Sequence, residues 1–134
     1  MTTQFRRDQS LDLDATARHV DVMLAAGAQG VVMVGSLGEN LALEPDEKRR
    51  VVRAALEVAK GAGPVIAGVI ETSTAAACRF ARDMEKMGVD GLLLLGVLRE
   101  HGAQARVVRR VSLRAGKGGL RLLDRVHVAG EGVI

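Results

Sequence analysis

Apolar residues up to position 95 recur with two different periods. Short continuous apolar runs, which are typical of parallel strands covered on both faces, occur at 31–34, 65–70 and 92–95. Stretches with apolar residues at helical spacing lie at 13–26, 45–59 and 74–87. The pattern therefore predicts an α/β fold, and right-handed crossovers place the three strands side by side in one parallel sheet.

The ends of the predicted helices carry recognisable stop and start signals. Asp12 or Asp14 is expected to cap the first helix, and Thr72 or Ser73 to cap the third, because their side-chain oxygens can accept from free N–H groups. Pro45 suits the first turn of the second helix, where its missing N–H has no partner to lose. These signals support three separate βα units.

The first apolar run ends abruptly in the small and polar residues Gly35, Ser36, Leu37 and Gly38. Glycines on both sides of Ser36 and Leu37 allow a sharp turn and the close approach of a small ligand. Ligands of parallel α/β proteins gather beyond the carboxyl ends of the strands. Ser36 is therefore the first hydroxyl that we expect to contact a substrate.

Three ordered segments carry a family resemblance: GSLGEN at 35–40, LEPDEK at 43–48 and PVIAGV at 64–69. Together they resemble the dihydrodipicolinate synthase / N-acetylneuraminate lyase family, which has a Gly-Thr-Thr-Gly-Glu loop after its second strand. The resemblance covers residues 2–95. It implies a (β/α)8 TIM barrel, represented here by its N-terminal half, and an aldolase-type lyase that joins a lysine to a 2-oxo acid such as pyruvate through a Schiff base.

The resemblance also assigns residues to roles. It implies that Gly35, Ser36 and Leu37 bind the substrate carboxylate. We expect no metal or cofactor, and the unpaired sheet edges and uncovered apolar face of a half barrel predict a homo-oligomer. Leu37 replaces the second threonine of the family loop, which belongs to a proton relay with a tyrosine. The family's tyrosine follows the fifth strand and its lysine lies on the sixth, and neither is recognisable in this chain, which has no tyrosine.

We therefore expect a truncated chain without turnover. A non-catalytic half barrel that self-associates or binds a small carboxylate is the alternative. The length of 134 residues accommodates about four βα units, since a complete barrel needs about 250 residues. Residues 2–7 are a candidate remnant of the first barrel strand.

Residues 96–134 differ in kind from residues 1–95. They hold eight of the 19 Lys and Arg residues but three of the 16 Asp and Glu residues. We interpret this basic, glycine-rich tail as an out-of-frame translation, with an evolved basic tail as the alternative. Short elements are possible at 107–113 and 120–128. The tail has no aromatic residue for base stacking, so we expect no nucleic-acid partner.

We interpret the other residues that could carry chemistry as structural. Cys78 is predicted to be a small core residue, and a lone cysteine without a signal peptide or membrane span favours the cytoplasm. Glu71 is explained by the adjacent helix N-terminus, with a position in the cavity as the alternative. The basic cluster of the second helix is predicted to be a solvated outer face paired with acids; it comprises Lys48, Arg49, Arg50 and Arg53.

The remaining lysines and histidines give no second site. Lys117 lies between glycines and Lys86 near a helix end, so neither has the apolar surroundings that make a lysine nucleophilic. His101 and His127 have no cysteine or carboxylate at ligand spacing, and we predict no metal site.

Overall fold

The computed structural model describes residues 1–94 in full, and beyond them only the backbone of three short strands at 97–98, 106–107 and 110–113. Helices and strands alternate along residues 1–94: α1 (Leu13–Ala25), β1 (Val31–Met33), α2 (Pro45–Ala59), β2 (Val65–Val69), α3 (Thr74–Met87) and β3 (Gly91–Leu94). The strands that follow are β4 (Val97–Leu98), β5 (Arg106–Val107) and β6 (Arg110–Leu113).

Strands β1, β2 and β3 lie side by side in one sheet and are parallel. Val31 is in register with Val65, and Ile66 with Gly91. This arrangement confirms the predicted order of three adjacent βα units. Strand β6 extends the sheet on the far side of β3 but runs antiparallel to it. The parallel pattern of a (β/α)8 barrel is therefore followed as far as β3 and not by β6.

The core lies between the three helices and one face of the sheet. Val31 and Met33 are buried there, whereas Val32 between them is half-buried on the opposite face. Strand β2 follows the same alternation, because Val65, Ala67 and Val69 pack on the helices. The helices contribute further fully buried or nearly buried residues to this core: Val20, Val51, Val52, Ala55, Ala59, Phe80 and Met84.

The structure shows which of the predicted residues cap the helices. The Asp12 carboxylate accepts from the Ala15 N–H at 2.8 Å and caps α1. Ser73 Oγ accepts from the Ala76 N–H at 3.2 Å and caps α3, so Thr72 is not the cap. In α2 the N-cap residue Glu44 and the N3 residue Glu47 form a capping box around Pro45.

Three expectations from the sequence need correction. Residues 2–7 form no strand; Phe5 makes a single antiparallel bridge with Leu11. Strand β1 ends one residue early because Val34 has a φ of 46°, which no strand residue adopts. Cys78 is exposed, since the buried face of α3 runs through Phe80 and Met84, and Cys78 lies two residues away from it.

Within the described ranges, no helix is both long enough and apolar enough to cross a membrane.

Candidate functional site

The loop after β1 presents free polar groups at the carboxyl ends of the strands. It begins at Gly35 and makes a 3₁₀ turn over Ser36–Gly38, closed by the Gly38 N–H donating to the Gly35 carbonyl at 2.9 Å. Ser36 and Leu37 are exposed. Within residues 1–94, neither of their backbone N–H groups has a hydrogen-bond acceptor. The Ser36 hydroxyl and two amides are thus available to a ligand.

The neighbouring strand approaches this loop as closely as a glycine permits. A Cβ at Gly68 of β2 would lie 2.6 Å from the Val34 carbonyl oxygen and 2.9 Å from the Gly35 Cα. Both are backbone atoms that cannot move aside without changing the loop. Packing therefore explains why the PVIAGV segment has a glycine at position 68: β2 contacts the loop after β1 too closely for a side chain.

Two buried side chains anchor the loop, and sequence reasoning identified neither. Thr3, which is 6% exposed, donates from Oγ1 to the Gly38 carbonyl at 2.8 Å. Asn40, which is 1% exposed, donates from Nδ2 to the Val34 carbonyl at 2.6 Å and to the Gly68 carbonyl at 3.2 Å. A small polar residue directly after the Gly-x-x-Gly-Glu loop was the available signal for Asn40.

Lys48 and Glu71 form a buried ion pair near the same end of the sheet. Lys48 Nζ lies 2.8 Å from Glu71 Oε1, and the two side chains are 6% and 16% exposed. The Phe80 ring lies 5.8 Å from Nζ, which adds a cation–π contact. The predicted solvated outer face is therefore wrong for Lys48, whose position places it among the core residues of α2. The Glu71 carboxylate is therefore the ion-pair partner of Lys48.

The other basic residues of α2 agree better with the prediction. Arg49 Nη2 pairs with Asp83 of α3 at 2.6 Å, and Nη1 with Asp46 at 3.0 Å. Hydrogen bonding to Asp83 raises the pKa of the Arg49 guanidinium. Arg50 and Arg53 are exposed. This part of the cluster joins α2 to α3 and faces solvent, as expected for a structural surface.

A groove of about 420 Å³ lies between α2 and α3 near their C-terminal ends. Its lining contains three cations and one anion over an apolar floor: Arg53, Leu56, Glu57, Lys60, Lys86 and Met87. Cations at helix C-termini are accounted for by the helix dipole. The groove lies at the other end of the helices from the loop at Ser36, so it does not belong to the predicted site.

Lys86, the remaining candidate that the structure describes, does not lie at the loop after β1. Lys86 is exposed in the last turn of α3. Lys117, His101, His127 and the possible element at 120–128 lie outside the described residues. Where the structure describes the chain, it brings together no group of three His, Cys, Asp or Glu side chains that could hold a metal.

Comparison with known proteins identifies the fold and its relatives. The model of the dihydrodipicolinate synthetase family matches residues 1–105, which is most of the chain. The chain belongs to this family. The match extends ten residues beyond the boundary that the sequence pattern suggested at 95, so the similarity includes the beginning of the basic segment.

Several members of the dihydrodipicolinate synthetase family resemble the chain closely. A 4-hydroxy-tetrahydrodipicolinate synthase of Chelativorans sp. (strain BNC1) is 42% identical over 95 residues, covering 71% of this chain and 32% of that protein. A Streptomyces avermitilis protein named "Probable 5-dehydro-4-deoxyglucarate dehydratase 2" is 45% identical over 93 residues, or 69% of this chain and 28% of the relative.

Solved structures of the family superpose on the described fold. The E. coli K12 prophage protein YagE, crystallised with pyruvate, has a TM-score of 0.69 and 25% identity. The superposition covers 77% of this chain and 34% of YagE. The chain thus has part of a family TIM barrel, and it spans about a third of the length of these relatives.

Proposed function

We propose that this chain supplies the carboxylate-binding part of a lyase that acts on a 2-oxo acid of the pyruvate type. The supporting observation is the loop after β1, where the Ser36 hydroxyl and the N–H groups of Ser36 and Leu37 are exposed and have no partner within residues 1–94. Backbone amides that point in one direction form a concave site for an anion. Gly35 leaves room for the ligand because it has no side chain.

The lysines of the described part do not complete a Schiff-base site. Lys48 Nζ is paired with Glu71, lies near the Phe80 ring and is almost fully buried, so a carbonyl carbon cannot reach it. Lys60 and Lys86 are exposed at the C-terminal ends of α2 and α3, which lie at the opposite end of the sheet from Ser36. We therefore propose that the chain by itself binds the oxo acid without converting it.

Leu37 favours a reaction other than that of the family's synthases. It is 79% exposed beside Ser36 and occupies the place of a hydroxyl in the family loop. An isobutyl group cannot accept or donate a proton, so a relay through this position is lost. A relative named as a probable dehydratase supports this interpretation, because such an enzyme is a lyase but not a synthase. We assign this chain to the class of 2-oxo acid lyases and not to a particular synthase reaction.

Binding and covalent chemistry are tested separately. Pyruvate is titrated into the ¹⁵N-labelled chain, and we expect the amide resonances of Ser36 and Leu37 to shift in a saturable way. Ser36→Ala should weaken binding roughly tenfold, because one hydrogen bond to a charged group is worth about 1.5–3 kcal/mol. Ser10→Ala, an exposed serine outside the loop, serves as the matched control. Equal affinity of the Ser36→Ala variant would contradict the proposal.

Sodium borohydride trapping tests the second part. Borohydride reduces a lysine imine to a stable secondary amine, which increases the intact mass of the chain. We expect no mass increase after incubation with pyruvate and borohydride. A single stoichiometric adduct on Lys48, Lys60, Lys86 or Lys117 would instead show that the chain forms a Schiff base of its own.

Self-association is the second candidate function. In the described sheet β1 pairs with no strand other than β2, and on its outer edge the Val32 carbonyl accepts from the Met1 N-terminus at 3.0 Å, so this edge is open to a further strand only in part. Val22 of α1 is 62% exposed and Met23 is 40% exposed, which adds an apolar surface on this helix. Sedimentation over a range of concentrations tests this candidate. A single monomeric species throughout would exclude it, and an oligomer that Val22→Asp dissociates would support it.

A further inference from the structure

Asn40 joins the ends of two neighbouring strands with a single amide group. Its Nδ2 donates to the carbonyl of Val34, which directly follows β1, and to the carbonyl of Gly68 in β2. The residue is 1% exposed, so water does not compete for these bonds. Asn40 itself opens the second 3₁₀ turn, Asn40–Ala42, and therefore holds the exit from the loop against its entrance.

The hydrogen bonds determine how this amide is oriented. Both neighbours are carbonyl oxygens, which only the NH₂ group can satisfy. Oδ1 then points away from both and has no partner within residues 1–94. A buried acceptor without a partner costs about 1–3 kcal/mol. The two hydrogen bonds that Nδ2 donates offset part of this cost, and their position between two strand ends indicates what the residue does.

The bonded carbonyl belongs to a strained residue. Val34 has a φ of 46° although it is β-branched and fully buried. A branched residue in this region costs on the order of 1–3 kcal/mol and persists only when its surroundings hold it. The Asn40 amide supplies that restraint on one side and the close approach of Gly68 on the other. Gly35 and Ser36 follow Val34 directly, so its conformation determines how they leave the strand.

We propose that Asn40 is a positioning residue for the carboxylate-binding loop. Its amide fixes the Val34 carbonyl, and this conformation presents the Ser36 hydroxyl and the amides of Ser36 and Leu37 to the carboxylate of a 2-oxo acid. The inference rests on the proposed function and names the residue that prepares the site before substrate arrives. Asn40 acts through the backbone and does not itself contact the substrate.

Asn40→Asp tests this role because its donor capacity depends on pH. An aspartate beside two carbonyl oxygens and away from water has a raised pKa, so at low pH the carboxyl group is neutral and can donate to Val34. At high pH it is ionised, cannot donate, and is repelled by both carbonyls. Two titratable groups near the loop, the exposed Glu39 and the Met1 N-terminus, whose pKa is lowered by burial and which donates to the Val32 carbonyl, are the same in both proteins, so wild type at each pH controls for them.

Affinity for pyruvate is measured from the Ser36 amide shift. For Asn40→Asp we expect a dissociation constant roughly tenfold above wild type at about pH 8, recovering to within about threefold at about pH 5. Wild type should change by less than about twofold over this range, since pyruvate stays ionised. Met84→Ala is the control for a loss of stability: it removes buried volume from the C-terminal half of α3, away from the loop, and should lower stability without changing affinity.

A measurement without ligand separates this inference from the proposed function. The Ser36 and Leu37 amide resonances of free Asn40→Asp should be displaced at the higher pH and return at the lower pH. If wild type does not bind pyruvate but these resonances behave so, the proposed function fails and the positioning role stands. Unchanged loop resonances, or a loss of affinity independent of pH, would overturn the inference. Should Asn40→Asp unfold at the higher pH, Asn40→Ser is used, and loop resonances identical to wild type would likewise overturn it.

Discussion

Lys48 Nζ lies 2.8 Å from Glu71 Oε1 in a pair that is almost withdrawn from solvent. The pair joins the first half of α2 to the segment that follows β2, and the Phe80 ring of α3 covers the ammonium group. Helix α2, the segment after β2 and helix α3 are therefore joined through the Lys48 ammonium group. Because Lys48 is buried and Glu71 is largely shielded, the loss of one partner leaves a poorly solvated charge without compensation, whereas the loss of both does not.

Lys48→Met is expected to lower the free energy of unfolding by about 3 kcal/mol, because Glu71 is left as an unpaired, largely buried carboxylate. The double variant Lys48→Met/Glu71→Gln should recover most of this loss. Urea denaturation followed by circular dichroism measures both. Arg50→Met, an exposed position on the same helix, is the control and should stay within about 0.5 kcal/mol of wild type. A double variant no more stable than Lys48→Met would contradict the pairing.

Gly68→Ala is expected to destabilise the chain by about 3 kcal/mol, at the upper end of overpacking effects, because the new methyl group meets backbone atoms of Val34 and Gly35. Gly35→Ala is the matched control. A Cβ there meets only Val32 Cγ1, at 3.9 Å. Its stability should be unchanged or raised by up to about 1 kcal/mol. Thermal unfolding of both variants distinguishes them, and equal melting temperatures would argue against the close contact.

Ser73→Ala should cost about 1 kcal/mol, because α3 loses the side-chain acceptor of its first turn. Thr72→Ala changes the adjacent exposed residue, which does not cap the helix, and should have little effect. Chemical denaturation of the two variants tests the choice between the caps. The reverse order of stabilities would mean that Thr72 caps α3 in solution.

Cys78 should react with Ellman's reagent in the native chain at nearly the rate found in urea, because its side chain is exposed on α3. Cys78→Ser abolishes the signal and should change stability by less than about 0.5 kcal/mol. Strong protection in the native chain, released only on unfolding, would show that Cys78 is buried after all.

Asp8 provides a prediction about pH. Hydrogen bonds from the Ser10 hydroxyl and N–H lower the pKa of the Asp8 carboxyl below its ordinary value. Its contribution to stability is therefore present above the ordinary carboxyl pKa and is lost as the pH falls through the lowered value. A carbon-detected NMR titration of Ser10→Ala should show the Asp8 pKa moving up towards its ordinary value, and an unchanged midpoint would contradict the bond.

Local patterns in the sequence were sufficient for the order of helices and strands. The apolar periods predicted the three βα units and their parallel arrangement, and Asp12 and Ser73 were among the predicted caps, because these features depend on residues within one or two turns. The GSLGEN loop was also placed correctly at the end of β1. The roles of Gly35, Ser36 and Leu37 in carboxylate binding remain predictions, as does the frame of residues 96–134.

Tertiary structure decided what holds the loop and where the charges lie. Thr3 and Gly38 are 35 residues apart, Asn40 and Gly68 are 28 apart, and Lys48 and Glu71 are 23 apart. Such long-range contacts produce no periodic pattern in the sequence, because they depend on which strand ends lie side by side after the sheet has formed. The interpretation of Lys48 as solvated and of Cys78 as a core residue was wrong for a local reason. Lys48 shares a helix face with Val51 and Val52, and Cys78 lies off the face that carries Phe80 and Met84. The chain's alternating pattern determined its fold, and the meeting of β1 with β2 determined the shape of its candidate site.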